Sequence, residues 1–546
     1  MQMQVLKIHP TDNVLVALQS LPRGATIEGI VLQDDVSIKH KFAITDLPIG
    51  SEVKMYGVLV GRTTAFIPKG GLLTLQNVEH AAAQFNAAQQ KLAWSPPNVE
   101  KWLGTTFNGY HRKDGRVGTA NYWLVIPLVF CENRNIEVIK ATMLPELGYA
   151  QSASFKVDIQ QLIRQYQAGV SEQHLLETDI VQTAQQINQH RLFPNVDGIK
   201  FLTHTGGCGG IRQDSEMLCR LFAGYLNNPN VAGATVLSLG CQNAQIQVFE
   251  HAIADIAPHF NKPLYLLEQQ KSYSERSYIA DAVKQTFVGL TKVNETVREP
   301  APLHHLCLGL ECGGSDGFSG ISANPALGYA SDLLVALGGR AILSEFPELN
   351  GVEQSLINRC QYEADAQKFA ALMKTYAQRA TEVGSGFAYN PSPGNIRDGL
   401  ITDAMKSAGA AKKGGTSPIV QVLDYTEQAT RPGLSLLCTP GNDVESTTGL
   451  AGSGANLIVF TTGLGTPTGN PIAPTVKFSS NTALAQRMPD LIDLDAGTII
   501  TGEDTIESKG EALLDYLIEV ANGNAIPHAV RLGQDDFIPW KRGISL

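Results

Sequence analysis

Four glycine-rich turns of the sequence carry side chains that could bind an anion or a metal ion. They are the segments His204–Gly210, Gly240–Asn243, Glu311–Gly317 and Pro440–Asp443. Glycines let the backbone approach a ligand closely, and the amides at the start of a following helix can hold a carboxylate. A tight strand-to-helix turn also needs glycine for structural reasons, so one such turn is weak evidence. Four of them together favour a ligand-binding site.

Three cysteines of these turns could ligate a metal. Cys208, Cys241 and Cys312 each end or follow a predicted strand, which permits their thiols to meet in space. Three thiolates could hold an iron–sulfur cluster or contribute to a mononuclear site. No CxxC spacing supports a cluster, and each cysteine could equally be a small buried residue in a crowded turn. The sequence leaves both interpretations open.

Nucleotide and nucleic-acid binding have little support. GxxxxGK followed by Ser or Thr is absent, and no GxGxxG lies between a predicted strand and a helix. The net charge is -10 and no basic tract is present. Binding to a nucleic-acid backbone needs clustered Lys and Arg. We therefore expect a small-molecule ligand, and an anionic one would need local positive groups.

Such positive groups surround His40, which lies between Lys39 and Lys41. Cations lower the cost of binding a carboxylate, and a histidine can act as an acid or a base near neutral pH. The trio could also be an ordinary surface cluster, which is the default for most such groups. The sequence thus gives His40 and Lys41 as candidates for binding an acidic substrate.

These residues lie in a chain long enough for several domains, since 546 residues exceed what one hydrophobic core usually serves. Short β-rich runs such as Glu52–Val60, separated by Pro and Gly turns, predict a small all-β module over residues 1–78. Residues 79–108 are rich in Ala, Gln and Asn and predict a linker made of a helix and an extended connection.

Apolar runs then alternate with amphipathic segments, which indicates parallel sheets with helices on their faces. A break at Glu299-Pro300-Ala301-Pro302 separates a central α/β domain, residues 109–298, from a C-terminal α/β domain, residues 299–546. The predicted fold class is α/β multidomain, with an all-β module followed by two α/β regions of mainly parallel strands. The carboxyl ends of such strands are where the glycine-rich turns can converge.

Composition and termini predict a cytoplasmic protein with no membrane segment. The N-terminus has no charged leader followed by an apolar core. The longest apolar stretch, Tyr122–Cys131, is half the roughly 20 residues that a membrane helix requires, so we interpret it as a buried strand. The eight cysteines follow no disulfide-like framework, which fits reduced thiols.

Long composite motifs in collinear order carry a resemblance to a known family. They are DNV (12–14), HKFAITDLPIG (40–50), GLECGGSDGFSGISANP (309–325), NPSPGN (390–395), KGGTSPIV (413–420), PGNDVESTTGLAGSGANLIVF (440–460), GTPTGNPIAPTVK (465–477) and DLDAG (493–497). With these motifs the chain resembles the altronate/galactarate dehydratase family over nearly its whole length.

The resemblance implies an N-terminal β-clip module of the SAF type and an enzyme that converts a hexonate or hexarate into its 2-keto-3-deoxy derivative. It also implies a divalent metal, usually Fe2+ with Mn2+ as an alternative, and enzymes of this type are often homodimers. An iron–sulfur cluster held by the cysteines is the less favoured alternative, and the charge predicts that the protein binds no nucleic acid. The chain departs from the family pattern at Ala120, Ala404 and Ala410, where Arg, Glu and Cys are usual. A non-catalytic sugar-acid-binding relative is therefore the competing hypothesis.

Dehydration requires removal of a proton at C2 and loss of the hydroxyl at C3, with stabilisation of the enediolate charge. We hypothesise that His40, His204 and Lys477 are the catalytic residues, and that Lys477 can pair with a carboxylate. The predicted metal ligands are Glu311, Asp316, Cys208, Cys241 and Cys312. The predicted substrate-binding residues are Lys41, Gly313, Gly314, Ser315, Asn442 and Asp443. Glu311 and Asp316 could instead cap a helix.

Overall fold

The computed structural model describes residues 3–90, 93–150, 155–183 and 190–543. Its N-terminal part is a small all-β module, and the rest contains two parallel sheets with helices packed against them. The predicted fold class is therefore confirmed. In the described part of the chain, no helix combines the length and the apolar character needed to cross a membrane.

The N-terminal module consists of short antiparallel strands joined by tight turns. Its strands are β1 (Val5–Leu6), β2 (Val14–Ala17), β3 (Thr26–Ile27), β4 (Ile30–Val31), β5 (Lys41–Ala43), β6 (Glu52–Met55), β7 (Val58–Thr63) and β8 (Val78–Glu79). Gly24, Gly50 and Gly70 each have a φ near +80° two residues after a proline. The third residue of a type II turn has a positive φ and is usually glycine. The Pro and Gly residues that the sequence analysis noted between the strands therefore form the turns of the module.

The run Glu52–Val60, predicted as one strand, is instead the hairpin of β6 and β7. Met55 pairs with Val58, which leaves a two-residue loop of Tyr56 and Gly57. Both loop residues have positive φ, 59° and 78°. This geometry matches the type I′ turn that fits the twist of a two-stranded ribbon.

The middle region contains a four-stranded parallel sheet in the order β14-β11-β15-β16. Its elements in chain order are β9 (Thr106–His111), β10 (Val117–Gly118), β11 (Tyr122–Pro127), α1 (Asn133–Glu146), β12 (Phe155–Val157), α2 (Ile159–Gln167), α3 (Glu172–Glu177), β13 (Val181–Thr183), β14 (Gly198–Phe201), α4 (Arg212–Asn227), β15 (Val231–Ser238), α5 (Ile246–Ile256), β16 (Leu264–Glu268), α6 (Glu275–Val293) and β17 (Arg298–Pro302). All six residues of β11 are buried, as expected for a strand with helices on both faces.

The C-terminal region contains a seven-stranded parallel sheet in the order β20-β21-β19-β18-β22-β23-β24. Its elements are β18 (Cys307–Cys312), α7 (Ala323–Ala336), β19 (Arg340–Leu343), α8 (Glu353–Arg359), α9 (Glu363–Glu382), α10 (Pro393–Arg397), α11 (Asp403–Ala410), β20 (Ile419–Leu423), β21 (Gly433–Leu437), α12 (Asp443–Gly452), β22 (Leu457–Thr462), β23 (Thr475–Ser479), α13 (Thr482–Arg487), β24 (Leu494–Asp495), α14 (Thr498–Thr501), α15 (Ile506–Asn522) and α16 (His528–Arg531). Because all strands are parallel, the loops after them meet at one edge.

The segment predicted as a break, Glu299–Pro302, is part of strand β17. This strand pairs with β9 in an antiparallel ladder, so the two ends of the middle region lie side by side. Both prolines of β17 are tolerated because this small sheet places β17 at its edge. The domain boundaries at residues 108/109 and 298/299 stay predictions.

The helix predicted within residues 79–108 is absent from the described part of that segment, which excludes residues 91–92. The chain instead runs along α8 without regular secondary structure, apart from a short 3-10 helix at Glu100–Trp102. Gln89 donates from Nε2 to the Cys360 carbonyl at 2.9 Å, and Gln354 donates to the Ala88 carbonyl at 3.0 Å. These hydrogen bonds between side chains and backbone carbonyls hold the segment against α8. They outweigh the tendency of its alanines to form a helix.

One hydrophobic core joins the N-terminal module to the C-terminal sheet. Val16 and Met55 of the module lie in the same buried cluster as Leu308 and Leu343 of the sheet. A second cluster likewise joins Leu124 of the middle sheet to residues of the C-terminal sheet. The three regions therefore hold one another in fixed positions.

Candidate functional site

A cluster of buried charged residues lies at the carboxyl edge of the C-terminal sheet. Strand β18 ends with Glu311 and Cys312, Glu345 and Glu348 follow β19, and Asp443 begins α12 after β21. The Glu345 backbone has the left-handed φ of 66°, which is rare for a residue with a side chain and marks a strained position. The register of neighbouring parallel strands brings these residues together.

The carboxylates form two groups that could hold a metal ion. Glu311, Glu345 and Asp443 make one group, and Cys312, Glu345 and Glu348 make the other, with ligand atoms within 4.8 Å of one another in each. Glu311 accepts from Ser446 at 2.6 Å and from Ser344 at 3.1 Å through Oε2 alone.

Its other oxygen, Oε1, and Oε1 of Glu345 are buried and have no hydrogen-bond partner among the described residues. An unpartnered buried carboxylate oxygen is costly, so these two atoms are the part of the cluster that a ligand would satisfy. Oxygen donors of this kind suit a divalent cation such as Fe2+, Mn2+ or Mg2+. The group of Glu311, Glu345 and Asp443 therefore fits the metal that the sequence resemblance implies.

Two lysines neutralise part of the negative charge. Lys413 Nζ lies 2.7 Å from Glu345 Oε2 and 2.8 Å from Cys312 Sγ. Lys406 Nζ lies 2.6 Å from Glu348 Oε1. All of these groups are at least nine-tenths buried, and a buried charge is stable only when it is paired.

Burial and mutual repulsion decide the protonation of the acids. Burial, followed by the charge of Glu345, raises the pKa of Glu311 well above its usual value. Burial also raises the pKa of Asp443 to about 7, with Glu345 and Glu348 adding to the effect. Burial acts in the same direction on Glu348, but the charges of Lys406 and Lys413, with hydrogen bonds from Lys406 and Cys312, together outweigh it and lower the pKa of that carboxyl. The cluster is thus poised to exchange protons near neutral pH.

Lys477, a predicted catalytic residue, lies within strand β23 with its amine facing Phe460 on the adjacent strand β22. Nζ is 3.6 Å from the centre of the Phe460 ring. It has no hydrogen-bond partner among the described residues. Burial lowers the pKa of this amine to about 7, and the charge of Asp443 opposes that shift. Lys477 is therefore not a solvated strand-end lysine but a buried amine that is about half neutral at pH 7.

The turn Gly313–Ser315 packs tightly against the cluster. A Cβ atom on Gly313 would lie 2.1 Å from Oδ2 of Asp443, and Gly314 has a φ of +60°. The Gly313 amide donates to the Thr461 carbonyl at 3.0 Å, so it cannot serve as the predicted donor to a substrate. Ser315 is buried, and its carbonyl accepts from Asn395. The two glycines therefore make room for Asp443.

Asp316 was predicted as a metal ligand, and the structure gives it other partners. Its Oδ2 lies 2.9 Å from Lys39 Nζ, and its Oδ1 accepts from Ser480 at 2.7 Å and from the Ser319 amide at 2.9 Å. The carboxylate caps the turn that precedes α7 and ties it to the N-terminal module. It has no free oxygen directed at the cluster.

The N-terminal module places its basic trio against the C-terminal region. Lys41 is buried and donates from Nζ to the Gly399 carbonyl at 2.7 Å. Burial lowers its pKa to about 7. His40 is half-buried, and its Nδ1 lies 3.2 Å from the Ile38 carbonyl of its own loop. Lys39 and Lys41 thus anchor the module, and the predicted catalytic role of His40 stays a prediction.

His204, predicted as catalytic, lies in the middle region with both ring nitrogens bonded to backbone. Nε2 is 2.8 Å from the Pro127 carbonyl, and Nδ1 accepts from the Gly206 amide at 2.9 Å. Burial lowers its pKa to about 4. A neutral ring with both nitrogens occupied fixes the loop 204–210 and leaves no atom for proton transfer to a substrate.

The three predicted cysteine ligands do not meet. Cys312 is buried beside Lys413, whereas Cys208 and Cys241 are exposed on loops of the middle sheet. Among the described residues, neither exposed thiol belongs to a compact group of three possible metal ligands. The three thiols lie apart because Cys208 and Cys241 follow strands of the middle sheet, whereas Cys312 ends a strand of the C-terminal sheet. Asn442, predicted to bind substrate, caps α12 by accepting from the Glu445 amide at 3.2 Å.

The sequence reasoning missed four members of the cluster: Glu345, Glu348, Lys406 and Lys413. Glu345 follows a strand that the sequence predicted, and that position alone was a usable signal. Lys406 lies on a short helix, and Lys413 in the turn after it. Lys413 begins the motif KGGTSPIV (413–420), which was a usable signal, whereas nothing in the local sequence of Lys406 distinguishes it from a surface lysine.

Three family models match this chain. They describe the altronate/galactarate dehydratase SAF domain at residues 3–81, the D-galactarate dehydratase/altronate hydrolase second domain at residues 109–294, and the D-galactarate/altronate dehydratase C-terminal domain at residues 303–545. The last model covers the charged cluster.

Similar proteins cover nearly the same length. The chain is 32% identical to an altronate dehydratase of Escherichia coli (strain K12), over 95% of this chain and 96% of that protein. It is 31% identical to an altronate dehydratase of Bacillus subtilis (strain 168), over 99% of both. It is also 31% identical to a galactarate dehydratase (L-threo-forming) of Escherichia coli (strain K12), over 95% of this chain and 92% of that protein.

Proposed function

Since the chain belongs to the D-galactarate/altronate dehydratase family, we propose that it is a hydro-lyase that removes water from a sugar acid. Its primary substrate is altronate, which loses water to give 2-keto-3-deoxygluconate. The observation that carries this proposal is the unpartnered Lys477 amine near a group of carboxylates with two unpartnered oxygens. Dehydration needs both a proton acceptor and a centre that stabilises negative charge.

Glu311, Glu345 and Asp443 would hold a divalent cation, with Fe2+ preferred and Mn2+ as the alternative. When bound, this cation supplies Lewis-acid stabilisation of the negative charge that develops on the substrate carboxylate. Lys413 keeps Glu345 in position through its 2.7 Å contact. Ser446 and Ser344 hold one oxygen of Glu311 and leave the other directed at the ligand.

Lys477 is the proton carrier in this proposal. Its neutral amine accepts the proton from C2, and the C2–H electron pair passes into the enediolate. The resulting ammonium then donates that proton to the C3 hydroxyl, which leaves as water when the C3–O bond breaks. The enol that remains becomes the 2-keto acid. A lysine whose pKa lies near 7 is suited to both transfers, because neither protonation state is strongly favoured.

Galactarate is the second candidate substrate, because the similarity to a galactarate dehydratase is as high as that to one of the altronate dehydratases. The two acids differ at one end, where galactarate has a carboxylate and altronate a hydroxymethyl group, and in the configuration of the adjacent hydroxyl-bearing carbon. Outside the cluster, the basic residues Lys39 and Lys41 of the N-terminal module already have partners in Asp316 and Gly399. The absence of a free cation among these two favours altronate.

The test is anaerobic incubation of the purified protein with altronate or galactarate, with Fe2+, with Mn2+ and without metal. Metal-dependent formation of a 2-keto-3-deoxy acid from altronate supports the proposal, and a preference for galactarate would replace the primary substrate. Ligand-dependent thermal stabilisation without turnover would instead identify a non-catalytic binding protein. The buried Ala120 and Ala404, where the family usually has polar residues, are the reason to include that measurement.

We also propose that the enzyme acts in the cytoplasm as a homodimer and binds no nucleic acid. Its eight cysteines are all free thiols, which fits a reducing compartment. The segment between β12 and β13, which contains α2 and α3, has exposed apolar side chains, including Ile159, Tyr166 and Leu176. A partner subunit would cover such an apolar patch. Light scattering of the purified protein gives the subunit number, and cell fractionation gives the compartment.

A further inference from the structure

The exposed cysteines of the described chain all lie at one edge of the middle sheet. They are Cys131, Cys208 and Cys241, and the other five cysteines are buried. Cys131 follows strand β11, Cys208 follows β14 and Cys241 follows β15. These strands are parallel, with β11 between the other two. The three thiols therefore come from adjacent loops at the carboxyl edge, where ligands bind in open α/β sheets.

The three loops contact one another directly. The Phe130 amide, next to Cys131, donates to the Gly206 carbonyl at 3.1 Å. The Ala244 amide, three residues after Cys241, donates to the Gly207 carbonyl at 3.1 Å. A Cβ atom on Gly207 would lie 2.1 Å from the Leu128 carbonyl oxygen, so glycine is required for this close approach. The loop of Cys208 is thus fastened to the loops of both other cysteines.

Backbone amides at this edge are free to bind an anion. Among the described residues, no protein acceptor is bonded to the amides of Gly207, Cys208, Gly209 or Cys241. Gly207, Gly209 and Gly240 have φ values of 92°, 70° and 122°. Successive amides in alternating backbone conformations form the concave nests found at phosphate and iron–sulfur sites. Cys208 and Cys241 therefore lie beside backbone amides that have no protein acceptor.

The three thiols are not packed as closely as the ligands of a single metal ion. Thiolates around one tetrahedral ion at ~2.3 Å each lie within about 4 Å of one another. The compact ligand groups of the described chain, defined by a 4.8 Å limit, include none of these three cysteines. An iron–sulfur cluster needs a wider spacing, because each thiolate binds a different iron.

We propose that Cys131, Cys208 and Cys241 bind a four-iron, four-sulfide cluster that has one iron without a protein thiolate. The free amides of the Gly207–Gly209 nest donate to the cluster sulfides. Cys208 also lines a cleft of about 360 Å³ whose opposite wall contains Tyr425 and Trp540. The open iron takes an oxygen ligand from a small anion in this cleft. This site differs from the carboxylate group of the C-terminal sheet and does not depend on the proposed dehydratase activity.

Assembly is balanced without an external oxidant when both ferrous and ferric iron are supplied. Two Fe2+, two Fe3+ and four sulfide ions give a core of charge +2, and three thiols release their protons to the solvent. The purified full chain is incubated anaerobically with these ions. We expect about four acid-labile sulfides per chain and about four iron atoms beyond any that the carboxylate group holds, with broad visible absorption that dithionite bleaches.

The triple variant C131A/C208A/C241A should retain the parent's circular dichroism and melting temperature, since these side chains are exposed. It should hold no acid-labile sulfide and no iron beyond any that the carboxylate group holds. The matched control is C360S, in which a hydroxyl can replace the buried Sγ that donates to the Leu356 carbonyl, and it should load like the parent. Mass spectrometry after alkylation should show the three cysteines protected only in the reconstituted chain. Equal loading of the triple variant, absence of labile sulfide in the parent, or tight binding of one Zn2+ with iron excluded would each overturn the proposal.

Discussion

Replacing Lys477 by methionine tests whether its amine acts in catalysis or only stabilises the fold. An ordinary lysine with a pKa near 10.5 has about one amine in 3,000 neutral at pH 7, whereas Lys477, with its pKa lowered to about 7, has about half. Burial thus increases the fraction of free base by about three orders of magnitude. General-base catalysis typically contributes about 10²- to 10⁴-fold, and K477M should lower kcat by that factor.

The same substitution should not weaken the fold. Lys477 is fully buried, and in the folded state at pH 7 it gives up about half a proton that the unfolded chain retains. The shift from 10.5 to about 7 corresponds to a cost of about 4 kcal/mol. Methionine has a similar length and keeps the contact with Phe460. K477M should therefore be at least as stable as the parent.

The assay measures kcat and KM for altronate between pH 5.5 and 9, together with urea unfolding at pH 7. In the parent, kcat/KM should rise with unit slope as the amine loses its proton and should level off above a pH of about 7. K477R should be as inactive as K477M, since arginine remains charged. Lys374→Met is the matched control, because Lys374 is an exposed lysine that also lies over a phenylalanine, Phe85.

Two results would refute this reasoning. One is a K477M variant that turns over altronate within threefold of the parent, which would remove the amine from the mechanism. The other is a loss of activity that parallels a loss of stability, which would make Lys477 a packing residue.

Three further predictions concern the rest of the site. Gly313→Ala should reduce activity at least tenfold, because its Cβ would lie 2.1 Å from Asp443, whereas Gly386→Ala, in open space, should behave like the parent. Glu311→Gln and Glu345→Gln should each weaken Mn2+ binding at least tenfold in calorimetry, and Glu52→Gln on the surface should not. His204 has a folded-state pKa below its unfolded value, so the unfolded chain binds this proton first and stability falls as the pH drops from about 6.5 to about 4. Urea unfolding should show a loss of about 3 kcal/mol that H204Q lacks; an equal loss in H204Q would assign it to other groups.

The sequence predicts most of the sheets but only part of the site. The apolar runs Trp123–Cys131 and Leu457–Thr461 each contain a buried strand, because central parallel strands are apolar on both faces, although the first strand ends at Pro127 and Cys131 is exposed. The helix predicted after Val78 was wrong because hydrogen bonds to α8 decide that segment, and these partners lie about 270 positions away. Long-range contacts of this kind leave no local pattern.

The same limit applies to individual functional residues. His204 and Lys477 are both polar residues near predicted strand ends, and sequence alone gives them the same role. In the structure, backbone groups occupy both nitrogens of His204, while the Lys477 amine has no partner among the described residues. The two residues differ in whether their polar atoms have hydrogen-bond partners, and this depends on the residues packed around them in the fold.

The shared core of the N-terminal module has a consequence for synthesis of the chain. Residues such as Val16 and Met55 complete their packing only with Leu308 and Leu343, which the ribosome adds about 250 or more residues later. At a translation rate of about 5–20 residues per second, this delay lasts on the order of 15–60 seconds. During that time the nascent module exposes an apolar surface, so chaperones that hold nascent chains should affect the yield of this protein more than that of one whose first domain closes its own core.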